Sequence, residues 1–193
     1  MKNSYKNSHT GYIVPLLTIL LFTVLVGVSF FSFMYRSQEQ TGLIMADDIA
    51  HLVEVIQKID KDCRIIDFDY QQNTINFLNI KKDGFVGSEV GSVNLSYPKK
   101  WNGPYMNDNP TMQEKEYMIV RTKDGHFITP GNGVILPNQK EIGKDIILDE
   151  KADIPAMMNN PELLNYKGRA LAGKVTIGLT TMQRVILENI DRV

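Results

Sequence analysis

The residues best suited to chemistry are four acids late in this 193-residue chain. Asp145, Asp149, Glu150 and Asp153 lie within one short stretch. Calcium is bound by several carboxylate and carbonyl oxygens, so such a stretch can supply ligands for this ion. The spacing of these four acids is not that of an EF-hand loop. The alternative interpretation is a solvated acidic loop that flanks a strand.

The histidines do not form a catalytic pattern. His9 precedes a long apolar run, His51 falls in a helical pattern, and His126 falls in a strand pattern. The chain has no HExxH, GxSxG, CxxC or phosphate-loop motif. The sequence therefore gives no catalytic residue. We expect a protein that is not an enzyme and that has no cofactor beyond the calcium considered above.

Aromatic residues single out one loop. Trp101 is the only tryptophan, and it begins the segment WNGPY, which ends at Tyr105. Proline and glycine between two aromatic rings are typical of a rigid loop that is pinned by buried rings. We expect this loop to be clamped onto a sheet, and the alternative is a surface that contacts a ligand or partner.

The elements that position these residues begin with an uncharged run from Tyr12 to Tyr35. The run exceeds the roughly 20 apolar residues that cross a bilayer core, so it predicts a transmembrane helix. A cleaved secretory signal is the alternative, but the apolar core of such a signal is usually only about 7–15 residues long. The SFFSFMY segment at the end of the run also offers no small-x-small cleavage site. We therefore expect the run to be a retained membrane anchor.

Charges beside the run predict its orientation. Lys2 and Lys6 precede it without any acid, so the positive-inside rule places the N-terminus in the cytoplasm. The chain then divides into a basic cytoplasmic leader at 1–11, a transmembrane helix at 12–35 and one extracytoplasmic domain at 36–193. The net charge of -1 argues against a nucleic-acid partner. The first partner that we expect is the lipid bilayer.

Helical spacing continues beyond the uncharged run to about Asp62. Apolar residues recur every three or four positions and predict an amphipathic helix that packs on a sheet, at Met45, Ile49, Leu52, Val53, Ile56 and Ile59. Gly42 is expected to loosen the helix by about 1 kcal/mol relative to Ala. Pro15 lies near the helix start, where it is expected to cost little. Cys63 is expected to be a buried small hydrophobe, with an intermolecular disulfide as the alternative.

The remainder of the domain shows strand patterns. Alternating apolar residues within 64–70 and 74–80 predict a hairpin with a turn at QQN. A further strand is predicted within 90–97, and the clearest hairpin spans 116–129 around the turn KDG. A closing helix is predicted over 180–193. A long helix followed by antiparallel strands is an α+β layout.

This layout resembles that of type IV pilin-like proteins. The segment WNGPYMNDNP, with the later EYMIVRTKDGHFITPG, is similar to the middle of type II secretion pseudopilins. The short basic leader MKNSYKNSHTG also resembles the family's leader, because it ends in Gly11 and is followed by the aromatic Tyr12. The family usually has a glutamate at the fifth mature position, where this chain has Leu16.

The resemblance implies a pilin-like fold and a structural role. A prepilin peptidase would cut between Gly11 and Tyr12, and the helices would then stack in a filament or at its tip with other pilin-like subunits, as a homo- or hetero-oligomer. Because Leu16 replaces the usual glutamate, the resemblance implies that this subunit lies at the tip of the filament or is a minor component of it. The protein would lie in the inner membrane with its C-terminal domain in the periplasm. The family's calcium loop would fall near Asp149 and Asp153, and its motif loop would be formed by Trp101, Gly103, Pro104 and Tyr105. The alternative function is an anchored module that binds a partner without forming a filament.

Overall fold

The structure is a computed structural model that describes residues 10–82 and 89–178, with side chains described from 15 to 82 and from 91 to 178. Most of the predicted leader and the helix predicted over 180–193 lie outside the described residues. The chain divides into two compact units, Met1–Gln40 and Thr41–Val193.

One long helix, α1, spans Thr10–Cys63 and confirms the helix predicted from the two sequence patterns. Pro15 lies inside α1 rather than in its first turn, so the expectation that it costs little is wrong. A proline at this place removes one intrahelical hydrogen bond, which neighbouring groups must compensate.

The described part of the second unit contains eleven short strands, a 3₁₀ turn at Pro98–Lys100 and a short helix, α2, at Ile154–Met158. The strands in chain order are β1 Ile65–Phe68, β2 Gln72–Thr74, β3 Glu89–Val90, β4 Val93–Leu95, β5 Thr111–Met112, β6 Lys115–Glu116, β7 Met118–Thr122, β8 Gly125–Thr129, β9 Asn165–Tyr166, β10 Arg169–Ala170 and β11 Gly173–Val175. A long helix followed by small antiparallel sheets confirms the α+β layout.

The largest sheet has four strands in the order β11-β8-β7-β2. Its centre is the hairpin β7–β8, which pairs Met118 with Thr129 and Thr122 with Gly125, and so confirms the clearest hairpin of the sequence. Gly125 has a φ of +119°, a conformation that favours glycine at such a turn. A second sheet has the order β1-β4-β3, and β5–β6 and β9–β10 form separate two-stranded ribbons.

The predicted hairpin of 64–70 with 74–80 is wrong, because β1 and β2 belong to different sheets. Strand β1 pairs with β4, and β2 pairs with β7. The chain bends between them where the backbone N–H of Tyr70 donates to Oδ1 of Asn73, at 2.9 Å. The predicted turn QQN is therefore mostly strand β2, and the bend lies just before it. The strand predicted within 90–97 is two strands, β3 and β4, separated by a turn at Gly91 and Ser92.

The second half of α1 provides one side of the core. The side chains predicted to face the sheet are buried or half-buried, as expected for an amphipathic helix: Met45, Ile49, Leu52, Val53, Ile56 and Ile59. Strand β11 crosses the helix closely at Gly173, where an added Cβ would lie 2.6 Å from Cγ2 of Val53. The side chains of Val53 and Ile49 therefore pack directly against the backbone of β11 at this crossing.

Gly42 is a packing residue and not a point of weakness in the helix. A Cβ at this position would collide with the ring of Tyr166, at 2.7 Å from Cε1, and would approach Cγ of Pro137 at 3.0 Å. The buried glycine lets the loop at Pro137 and the β9–β10 ribbon approach the helix backbone. The expectation that Gly42 merely loosens the helix is corrected accordingly.

Candidate functional site

The first half of α1 has a continuous apolar surface. No residue from Tyr12 to Tyr35 is charged, and the most apolar stretch of 18 residues has a mean hydropathy of 2.4 with none of it buried. We call the side chains from Leu16 to Tyr35 the apolar helix surface. Leu16, Leu20 and Phe31, for example, are 72%, 62% and 76% exposed. Such exposure of large apolar groups to water would be strongly unfavourable, so this surface requires an apolar environment.

The hydroxyl of Thr23 within this segment is compatible with lipid. The hydroxyl of Thr23 donates to the carbonyl of Ile19 at 2.9 Å, which satisfies it within the helix. Gly27 has nothing within 4 Å of the place where a Cβ would stand, so its side of the helix is open. By length and composition α1 fits a single membrane span near the N-terminus, and the chain fits a single-pass anchored protein.

The two residues of the predicted cleavage position lie at the start of the same helix. Gly11 and Tyr12 fall in the first turn of α1, while their side chains lie outside the described residues. Cleavage between them stays a prediction.

The loop from Trp101 to Tyr105 is held by buried groups. Trp101 is fully buried, and its Nε1–H donates to the carbonyl of Ile80 at 3.0 Å. The rings of Trp101 and Tyr105 meet edge to face with centroids 4.8 Å apart. The backbone N–H of Tyr105 donates to the carbonyl of Leu78 at 2.8 Å. The predicted clamping is thus confirmed, although the loop is fastened to the irregular segment after β2 and not to a strand.

Gly103 and Pro104 allow this loop to turn tightly. A Cβ on Gly103 would lie 2.6 Å from Nε1 of Trp101 and would also collide with the carbonyl of Ile80, so only glycine fits. The Gly103–Pro104 peptide is cis. The motif that carried the family resemblance is therefore a rigid element of the domain.

Cys63 lies beneath this loop at the end of α1. Its thiol is free and fully buried, which confirms the predicted small buried hydrophobe. Burial raises the pKa of Cys63, although a hydrogen bond with Tyr105 acts in the opposite direction. Burial also raises the pKa of Tyr105, to about 12. A thiol buried in this way does not reach a second chain, which argues against the intermolecular disulfide.

The late acids are used as local caps. Oδ1 of Asp149 accepts the backbone N–H of Lys151 at 2.9 Å, and Oδ1 of Asp153 accepts that of Ala156 at 3.0 Å at the start of α2. Within residues 15–82 and 91–178, no three histidine, cysteine or acidic side chains gather as metal ligands would. Both side chains accept backbone N–H groups, Asp149 in a turn and Asp153 at the N-cap of α2. Calcium binding by these two residues stays a prediction.

Two open clefts lie in the second unit. One, of about 320 Å³, is lined by Asp69 and Tyr70 among uncharged polar residues. The other, of about 390 Å³, is lined by Lys174 and Phe127 among apolar and amide side chains. Neither cleft brings a histidine or a cysteine to its wall. The expectation that the protein is not an enzyme stays a prediction.

A buried carboxylate was missed by the sequence reasoning. Asp60 is 1% exposed, and its Oδ1 accepts the backbone N–H groups of Ile65, at 2.8 Å, and Gly178, at 3.1 Å. It thereby joins the end of α1 to the start of β1 and to the segment after β11. In the sequence Asp60 could not be distinguished from the solvated acids of the helix, because its partners are backbone N–H groups, which no residue type marks, and one of them is 118 residues away.

Two further polar contacts link elements of the domain. The hydroxyl of the fully buried Tyr117 donates to Oδ2 of Asp48 at 2.9 Å, and burial and this contact raise the pKa of the phenol. Between the two larger sheets, Oδ2 of Asp67 on β1 meets Nη1 of Arg121 on β7 at 3.3 Å, and Oδ1 of Asp67 lies 3.8 Å from Nε2 of His126 on β8. Both contacts are between residues that are far apart in sequence, so no local pattern could reveal them.

Comparison of the chain with family models, with curated proteins and with solved structures found no match. Function must therefore be argued from the residues and contacts described above.

Proposed function

We propose that this chain is a pseudopilin-like structural subunit of a type II secretion or type IV pilus-type assembly. The observation that supports this most directly is the change of burial within α1. The apolar helix surface is exposed, whereas the residues from Met45 to Ile59 that face the sheets are buried. In the pilin-like proteins that the sequence resembles, the first half of one N-terminal helix lies in the membrane, and its second half packs on the domain.

The proposed location follows from the charges and the anchor. Lys2 and Lys6 favour a cytoplasmic N-terminus, and the second unit would then lie in the periplasm. The membrane would be the inner membrane, where subunits of this kind reside before assembly. Other pilin-like subunits are the proposed partners.

In lipid, apolar helices gain little from burial against one another, so close packing must supply the attraction. Thr23 and Gly27 are four residues apart and share one face of α1, a small-xxx-small arrangement that lets two backbones approach. The open space around Gly27 permits this approach. Leu20 and Val24 lie on the same face, which we define as the Gly27 face.

The first experiment determines the mature N-terminus by mass spectrometry after expression beside an active prepilin peptidase. The proposal expects a chain that begins at Tyr12 and is methylated there. A Gly11→Val variant should remain full length, which shows that the cut depends on this glycine. An intact Met1 in the presence of the active peptidase would exclude processing.

The second experiment tests packing by disulfide crosslinking in the membrane. Single cysteines are placed at Leu20, Val24 or Phe22 in a Cys63→Ala background. Leu20 and Val24 lie on the Gly27 face, and Phe22 lies on the opposite face of the helix, so it is the matched control. If the helices pack in order in a filament, we expect clearly more crosslinked dimer from cysteines at Leu20 and Val24 than from a cysteine at Phe22.

The second candidate function is an anchored module that binds a partner without forming filaments. Leu16 favours it, since the residue stands where assembling members of the family usually have a glutamate. Weak and equal crosslinking on both faces, together with an intact N-terminus, would support this candidate and contradict the first.

A further inference from the structure

Cations surround the end of α1 and the clamped loop. We define the basic patch by six exposed residues, Lys58, Lys61, Arg64, Lys82, Lys99 and Lys100. Soluble surfaces usually intersperse charges of both signs, so a group dominated by one sign is a feature to explain.

Backbone hydrogen bonds bring these cations together from three segments. The N–H of Tyr97 donates to the carbonyl of Cys63 at 2.9 Å, and the N–H of Ser96 donates to that of Arg64 at 2.8 Å. The turn at Pro98–Lys100 therefore lies beside the helix end. The N–H of Lys82 donates to the carbonyl of Gly103 at 3.2 Å, which adds the segment after β2.

The patch is not neutralised by the part of the domain that the structure describes. Arg121, Lys144 and Arg169 have carboxylate partners, but none of the six patch cations forms an ion pair with a described residue. Asp60 and Asp62 are the acids that α1 places among these cations, and Asp60 is buried and accepts backbone N–H groups. The helix dipole favours cations in the last turn of α1, which accounts for Lys61. It does not account for the cations of the other two segments.

The support beneath the patch is rigid. Trp101 is fully buried, Gly103 tolerates no side chain, and Tyr105 is hydrogen-bonded through its backbone to Leu78. The ammonium of Lys100 lies 4.7 Å from the ring centroid of Tyr97, and that of Lys58 lies 5.8 Å from that of Tyr105. A surface whose backbone is already ordered loses less entropy when it binds.

We propose that the basic patch is an interaction surface for a short acidic segment of a partner polypeptide. Lysine predominates in it, and each lysine ammonium acts as a point charge that attracts the carboxylates of acidic side chains. The two tyrosine rings are each covered by a lysine, so they are poorly placed to stack on nucleic-acid bases. The whole chain has a net charge of -1, so the surface outside the patch is acidic and would repel a long polyanion.

This surface does not depend on filament formation and would serve either function proposed above. Its test uses the full chain in nanodiscs of neutral lipid, so that membrane charge does not contribute. The probe is a short fluorescent oligoglutamate peptide, and binding is followed by anisotropy at about 50 mM and about 200 mM salt. Saturable binding that weakens at the higher salt is expected.

The test variant is K61Q/K99Q/K100Q, and its matched control is K115Q/K123Q/K151Q, which removes three exposed lysines outside the patch. The patch variant should bind about tenfold more weakly, and the control should change binding less than about twofold. A third variant, K61R/K99R/K100R, should retain binding, which shows that the positive charge is required and that the substituted positions still fold.

Three results would overturn the proposal. The first is no binding of oligoglutamate by the wild-type chain at the lower salt. The second is an equal loss in the patch and control variants, which would indicate a general effect of net charge. The third is tighter binding of an oligothymidylate of matched charge, which would identify a nucleic-acid surface in place of a polypeptide surface.

Discussion

The two halves of α1 have the same backbone and opposite surroundings. Val24 in the first half is 54% exposed, and Ile56 in the second half is fully buried by the sheets. The first half is apolar on all sides, whereas the second is apolar on one side only. The difference shows that helix formation is a local property, while burial depends on what surrounds each half. Lipid is the environment that we expect for the first half, and the antiparallel sheets surround the second.

Truncation of one aliphatic side chain should affect the two halves very differently. Ile56→Ala leaves a cavity in the core and should destabilise the second unit by about 3 kcal/mol. Leu20→Ala should change the same unfolding transition by no more than about 0.5 kcal/mol. Denaturant unfolding of the full chain in micelles, followed by near-ultraviolet circular dichroism, measures both. Equal effects would mean that the two halves of α1 do not differ in how they are packed.

A new charge tests whether the exposed first half lies in lipid. Val24→Arg should oppose insertion by about 3 kcal/mol, because a charged side chain near the centre of a spanning helix is costly. The matched control is Ile44→Arg, since Ile44 has nearly the same exposure, 53%, but belongs to the second unit. The measurement is the fraction of each variant that stays with membranes after alkaline extraction. If both variants stay fully in the membrane fraction, the first half is not the anchor.

Gly27 and Gly42 lie in different halves of α1 and offer a finer contrast. Alanine favours a helix over glycine by about 1 kcal/mol, so Gly27→Ala should leave stability unchanged or slightly raised. Gly42→Ala should destabilise the second unit by about 1–2 kcal/mol, because the new Cβ would collide with Tyr166 and approach Pro137. Thermal unfolding of both variants measures the difference. If Gly42→Ala raised the stability of the second unit, the β9–β10 ribbon would have to move to accommodate the new Cβ, and the predicted collision with Tyr166 would be contradicted.

The smallest expected effect is a pH dependence of the unfolding free energy of the second unit. Burial lowers the pKa of His126, Asp67 opposes this shift, and Arg121 adds to it. The unfolded histidine titrates near pH 6.5. As the pH falls through that value, the unfolded chain takes up the proton first, so the unfolding free energy decreases until the folded pKa is reached.

His126→Gln should therefore flatten the dependence of the unfolding midpoint on pH between about 7 and about 5, relative to the wild type. Membrane extraction should show no pH dependence, because the uncharged run has no titrating side chain in this range. A variant that keeps the full wild-type slope would place the titration at another group.

Elements that follow from local periodicity could be predicted from the sequence, whereas features that depend on contacts between distant residues could not. The apolar run, the buried face of α1 and the hairpin β7–β8 follow from local patterns, and all are present. The pairing of β1 with β4 could not be foreseen, because alternation shows that a strand exists but not which partner it takes. Trp101 was recognised as an anchor, whereas the buried role of Asp60 depends on backbone groups 5 and 118 residues away.

The buried thiol of Cys63 has a practical consequence. Only the thiolate reacts quickly with alkylating reagents, and here the thiol is covered by the domain and its pKa is raised. Alkylation must therefore wait until the end of α1 separates from the loop at Tyr105. The rate at which the native chain is alkylated then reports how often that region opens. The one cysteine of the chain is thus an intrinsic probe of local unfolding at the end of α1.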